Sequence, residues 1–182
     1  MSRMRAALLA LILIFQVPGI VWADVPANIP LNRSFYVYIE GPVFGMAGPE
    51  LYANWIEGLW LEHSVYFPTD PVPGSSHRPV HTGLSFVKRF DRTSPLLFKA
   101  FANATRQPKV KIDFTRLDPK SGGQVPFMRI ELFDVFVIRI REFTQGAQLL
   151  EEVVLMYRQM EITNIEKGTQ WKSSWPPPPS PT

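Results

Sequence analysis

Apolar and polar residues alternate with a period of two along most of this chain, and that period changes once. Over Ser85–Phe90, Phe86, Lys88 and Phe90 alternate with Ser85, Val87 and Arg89, the signature of a strand. From Asp91 the spacing turns helical, with Leu96, Leu97, Ala100 and Phe101 on one face. Asp91, Thr93 and Ser94 each carry a side-chain oxygen able to cap a first helical turn. Pro95 suits the first helical position, and Asn103 tolerates the left-handed conformation that stops a helix. The pattern predicts one short amphipathic helix, about residues 93–103, in an otherwise strand-rich chain.

The other strands follow in order. Ser34–Glu40 is rich in aromatic and β-branched residues and ends at Gly41-Pro42. Val43–Tyr52, with Gly45, Gly48 and Pro49, reads as a loop. Trp55–Phe67 is a second strand with Leu59, Leu61, His63, Val65 and Phe67 on one face and Trp60, Glu62, Ser64 and Tyr66 on the other. Aromatic residues on both faces imply cover on both sides, from a core and from a neighbouring subunit, with Trp60 and Tyr66 either anchors of that interface or fillers of the domain's own core. Pro68–Pro79 carries four prolines and Gly74-Ser75-Ser76 and reads as a long loop. Val80–Phe90 is the third strand.

After the helix, Lys109–Arg116 points Val110, Ile112 and Phe114 inward and Lys111, Asp113 and Thr115 outward. Asp118–Gly123 is a turn. Gln124–Phe143 is too long for one flat strand, and Asp134 interrupts it; a bend near Phe133–Asp134 would let it serve two sheets. Met128, Ile130 and Leu132 share a parity with Phe136, Ile138 and Ile140. Thr144–Leu150 reads as a loop, and Glu151–Thr163 as a last long strand with Val154, Met156, Met160 and Ile162 on one face. The fold class expected is mainly β: a two-sheet β-barrel or sandwich of six or seven strands with one short helix.

The chain's ends change the picture. Arg3 and Arg5, the apolar run Ala6–Phe15, Pro18-Gly19 and a small residue at Ala23 have the layout of a cleaved signal peptide. The domain plan is therefore 1–23 signal peptide, 24–33 extended lead-in, 34–175 barrel and 176–182 proline-rich tail, with the mature protein periplasmic or secreted. No stable membrane span is expected after cleavage, because the apolar run is short. The net charge of +3 includes Arg3 and Arg5, so removing them leaves 17 basic against 16 acidic residues and gives no support for nucleic-acid binding. There is no cysteine, which excludes disulfides, thiolate metal sites and a Cys nucleophile.

Tests for chemistry are negative. No Gly-x-Ser-x-Gly turn occurs, and Ser64 faces away from His63. His77 and His81 have metal-ligand spacing for a helix, but Pro79 between them removes the helix, leaving solvated loop histidines. Glu151 and Glu152 on one strand face opposite ways and cannot work as an acid/base pair. Asp91 reads as a helix cap and not a catalytic acid. No phosphate loop or dinucleotide fingerprint is present. The expectation is a binding or assembly protein with no catalytic, cofactor or metal residues.

The stretch FVKRFDRTSPLLFKAFA (Phe86–Ala102) resembles the most recognisable motif of the haemolysin-coregulated proteins, the tube subunits of type VI secretion systems. There, a strand ending in Asp is followed by Ser/Thr-Pro, an apolar pair and Ala. Phe35–Gly41 is similar to the family's first strand, Trp55-Ile56-Glu57 to the start of its second, Glu152–Ile162 to its late strand, and Trp175 to its closing Trp. The resemblance spans about Phe35–Trp175 and implies a two-sheet barrel with one helix. It also implies hexameric rings that stack into a tube carrying effectors, with Pro68–Pro79 in the ring contacts. Two features depart from the family pattern: the leader Met1–Ala23 and the proline-rich tail. An alternative therefore stands beside the tube subunit: an exported periplasmic or secreted binding module on the same fold.

Overall fold

Residues Gln124–Gln145 form one continuous strand of 22 residues, β5, that turns at Asp134, where the backbone enters the left-handed region (φ 54°). The computed structural model describes residues 25–29, 35–41, 50–66 and 80–174. Around β5 run β1 (Phe35–Ile39), β2 (Ile56–Tyr66), β3 (Val80–Arg89), α1 (Ser94–Ala102), β4 (Gln107–Leu117), β6 (Gln148–Met156), β7 (Gln159–Asn164) and β8 (Thr169–Ser174). Before its bend, β5 lies between β4 and β7; after it, β5 pairs with β6. Hydrogen bonding thus runs β4-β1-β2-β3-β6-β5 and returns to β4, closing a barrel, while β7 and β8 extend the wall outward. The fold is mainly β with one short helix, as the alternation requires.

The bend comes where the sequence places it, but its effect on side-chain parity differs. Ile130 and Leu132 face the interior before the turn, and Val135 and Val137 after it. A register shift between Val137 and Arg139 then brings Ile140 inward. The left-handed residue and the bulge each reset the two-residue period, so uninterrupted parity from Met128 to Ile140 does not hold. The expected long strand over Glu151–Thr163 is likewise two strands, β6 and β7, parted at Tyr157-Arg158 opposite the bend of β5. The loop expected at Thr144–Leu150 is a tight hairpin turn, with Gln145 paired to Gln148 and Gly146 at φ 59°. β8 falls in a segment without clear alternation.

Helix α1 buries Leu97 and Ala100 in the barrel core, with Leu96 packed against it, but leaves Phe101 exposed. Thr93 occupies the cap position without a side-chain cap bond. The left-handed residue after the helix is Ala104 (φ 45°), not Asn103, and the Thr105 amide bonds back to Ala100. The core joins Phe35, Val37, Leu84, Phe86, Ile112, Leu132 and Val153 from different strands. Gly58 is required beneath Phe35, because an added Cβ would fall 1.9 Å from the Phe35 ring.

Two segments cover the barrel's outside. Residues 25–29 lie over Leu59, Val87 and Leu150, with Trp60 and Phe143 beside them. The Ile29 amide donates to Gln145 Oε1 (2.9 Å), and Gln145 Nε2 donates to the Ile29 carbonyl (3.0 Å). A register shift between Gly58 and Trp60 lets Leu59 and Trp60 share this outer cluster, against the expected two-face split. The second cover is the 3₁₀ turn Glu50–Tyr52: Tyr52 stacks on Tyr36 with ring centroids 4.1 Å apart. The expected leader 1–23, the loop Pro68–Pro79, Trp175 and the tail 176–182 lie outside the described residues. Among the described residues, no helix is long and apolar enough to cross a membrane.

Candidate functional site

Among the described residues, four polar networks reach buried side chains. The first joins β3, α1 and β6. Lys88 follows Leu84 and Phe86 on the inward parity of β3, so its ammonium points into the barrel. It lies 3.0 Å from Glu151 and 3.0 Å from Asp91, and donates to the Ser94 hydroxyl (3.0 Å) and the Arg89 carbonyl (2.8 Å). The Ser94 hydroxyl donates to Glu151 Oε2 at 2.5 Å. Asp91 accepts from the Thr93 amide and hydroxyl, so it ties the turn before the helix and is not the cap itself. A serine beside a lysine and a carboxylate has the makings of a nucleophile, but Lys88, Ser94 and Glu151 are each wholly buried. These bonds tie β3, α1 and β6 together, so the cluster fixes the strand-to-helix junction.

The second network sits on the opposite face of β6. Glu152 accepts from Ser85 (2.8 Å), Arg139 (2.6 Å) and Arg141 (2.9 Å). Adjacent Glu151 and Glu152 do face opposite ways, but both are buried and each is paired. The third lies under the Glu50–Tyr52 turn, where Asp113 takes both bonds of a bidentate Arg129 (2.6 and 2.8 Å). Asp113 points outward as its parity demands, yet is buried by this cover. Burial and then the Asp113 charge push the Tyr52 hydroxyl up to about 12. The bond to Asp113 chiefly raises Arg129.

The fourth is a set of three rings that sequence spacing does not bring together. The Tyr157 hydroxyl, at the β6–β7 turn, lies 2.5 Å from His63 Nε2 on β2 and 3.2 Å from His81 Nδ1 on β3. It also lies 3.8 Å from the Met160 sulfur. His81 is therefore not a solvated loop residue but a buried member of a strand; His77 lies outside the described residues. Burial lowers His63; burial and then the His63 charge lower His81 to about 4; burial raises the Tyr157 hydroxyl. Among the described residues, no three His, Asp or Glu side chains converge as metal ligands.

Residues 36–163, which include all four networks, match the family described as "Type VI secretion system effector, Hcp". This chain belongs to the Hcp family. A curated relative, the "Major exported protein" of Pseudomonas aeruginosa, is 30% identical over 127 residues, covering 65% of this chain and 73% of that protein. Among solved structures, Hcp1 from Escherichia coli EAEC 042 superimposes with a TM-score of 0.73 at 22% identity, covering 79% of this chain and 99% of that one. The secreted protein Hcp3 from P. aeruginosa gives 0.64 at 24% identity, covering 78% and 99%. At these identities the structures establish a shared fold, and the Hcp assignment rests on the sequence match.

Proposed function

We propose that this chain is a non-enzymatic structural subunit of a type VI secretion system, assembling with copies of itself into hexameric rings that stack as a tube and carry effectors in the bore. It uses no metal or cofactor and no nucleic acid. Family membership across residues 36–163, a span that takes in most of the closed barrel, carries this reading. Two features of the barrel favour it. The buried charged groups Lys88, Glu151, Glu152 and Asp113 are engaged with one another or with arginines and leave no open reactive centre among them. Val65, Tyr66 and Trp171 are exposed apolar side chains at strand ends and on the outer strand, suited to contacts between copies. Size-exclusion chromatography with light scattering on the mature chain should show a ring-sized species; a strict monomer at high concentration would overturn the assignment.

The leader favours a second reading. Arg3, Arg5, the apolar run to Phe15 and Ala23 suit export across the inner membrane, after which the barrel would act in the periplasm or outside the cell as a binding module. Fractionation with amino-terminal sequencing separates the two. A mature start near Asp24 in the periplasm supports export; an unprocessed cytoplasmic chain removes it.

A further inference from the structure

The wall formed by β2, β3, β6 and the end of β5 carries apolar residues on both faces. On its outside, Leu59, Trp60, Val87, Phe143 and Leu150 make a second cluster that shares no residue with the barrel core. Residues 25–29 fill the groove over this cluster. Ile29 is 3% exposed and Val25 is partly buried, whereas Pro26, Ala27 and Asn28 between them face solvent. Four strands supply the groove, and the segment adds only the two side chains that enter it. The core beneath is complete without them, so the groove is ready-made.

The main chain of the segment is bound as well. Gln145 accepts from the Ile29 amide (2.9 Å) and donates to the Ile29 carbonyl (3.0 Å). An extended residue turns both groups to one side, where a neighbouring strand would bind them. One side-chain amide here copies one rung of such a ladder, and contacts of this kind do not depend on the bound residue's side chain. The ligand class follows. It is an extended peptide with an apolar side chain at the clamped position and another four residues before it, and the three residues between are unconstrained. We propose that this groove is a peptide-binding seat, filled by the chain's own residues 25–29 and open in exchange to the same segment of a second copy.

Every copy carries both the seat and its ligand, and the contacts are the same whichever copy supplies the segment. The segment can leave while the barrel stays closed. β1 begins at Phe35, paired with Gly58 and Phe114, and residues 30–34 separate it from Ile29. Six residue steps reach about 20 Å. Local concentration then decides which copy's segment fills a seat, and assembly raises it. The exchange rests on the self-association proposed above; the seat does not.

A fluorescent peptide of residues 24–33, added to the full chain, tests the seat by anisotropy. Ile29→Asp puts a charge where the groove is apolar and so empties it of the chain's own segment. The peptide should bind this variant with a Kd at least about tenfold lower than for wild type, and adding Gln145→Ala should weaken that binding about fivefold or more. Equal binding to wild type and Ile29→Asp, or none to the variant, would overturn the seat; Ile29→Ser in the same assay decides if Ile29→Asp does not fold. The chain has no cysteine, so the exchange is tested by mixing copies that carry Asn28→Cys with copies that carry Ala147→Cys, next to Gln145, and adding a bis-maleimide. Covalent dimer should form, measured against internal cross-linking of a chain with both cysteines, and should fall about tenfold when the Asn28→Cys copy also carries Ile29→Asp. No dimer, or dimer unaffected by Ile29→Asp, overturns the exchange. A ring-sized species in that sample keeps the assembly reading standing even so, and dimer without rings supports exchange while removing that reading.

Discussion

Lys88 and Glu151 lie 3.0 Å apart inside the barrel, and neither side chain is exposed to solvent. Charges held this far from water need a counter-charge: without Lys88 the buried Glu151 carboxylate loses its cation, and without Glu151 the ammonium keeps only the partly exposed Asp91. Glu151→Gln or Lys88→Met alone should destabilise the fold by about 3–5 kcal/mol, whereas the double change Lys88→Met with Glu151→Leu should recover most of that loss. Urea unfolding midpoints of the three variants measure it. Equal effects of single and double changes would show that the pair itself matters little.

Gly58 sits against the Phe35 ring so closely that no side chain fits. Gly58→Ala should cost about 1–3 kcal/mol through overpacking, and adding Phe35→Leu should return part of it. Thermal unfolding of the single and double variants is the measurement. Full stability of Gly58→Ala would mean that the Phe35 ring yields freely.

His81, lowered to about 4, and His63, lowered as well, bind fewer protons folded than unfolded as pH falls below the ordinary 6.5. The sign follows: their contribution is intact above pH 6.5 and is lost progressively as pH falls toward 4. Unfolding midpoints across this window should slope downward with acid in wild type and less steeply in His81→Leu. A flat wild-type profile would contradict it.

Gln145 clamps Ile29 with two hydrogen bonds across the barrel's outer face. Gln145→Ala should lower global stability by about 1–2 kcal/mol at most, since two bonds of modest net worth are lost. It should free the 25–29 segment far more, seen as faster exchange of the Ile29 amide with β4 amides unchanged. Unaltered exchange at Ile29 would show that the apolar contacts to Leu59, Val87 and Leu150 hold the segment without the clamp.

Much of the barrel is legible as alternation, because a strand with one face on a core must repeat every two residues. The helix is legible too, since the change of period at Asp91 coincides with Pro95. What alternation cannot carry is a reset of its own phase. Asp134, the bulge at Leu59 in β2 and the shift after Val137 each move the inward face by one residue, and none leaves a signature beyond an out-of-place polar side chain. The candidate sites were less legible still. Lys88 on the parity of Phe86 is a readable sign of a buried cation, but Tyr157, His63 and His81 are far apart in the chain and meet only through the barrel's closure.

Because β5 belongs to both halves of the barrel wall, no single cut through the chain yields a fragment with its own complete sheet. Neither half can melt while the other survives, so this wall should come apart in one cooperative step. Most of its contacts join distant parts of the chain, and its assembly should accordingly be slow.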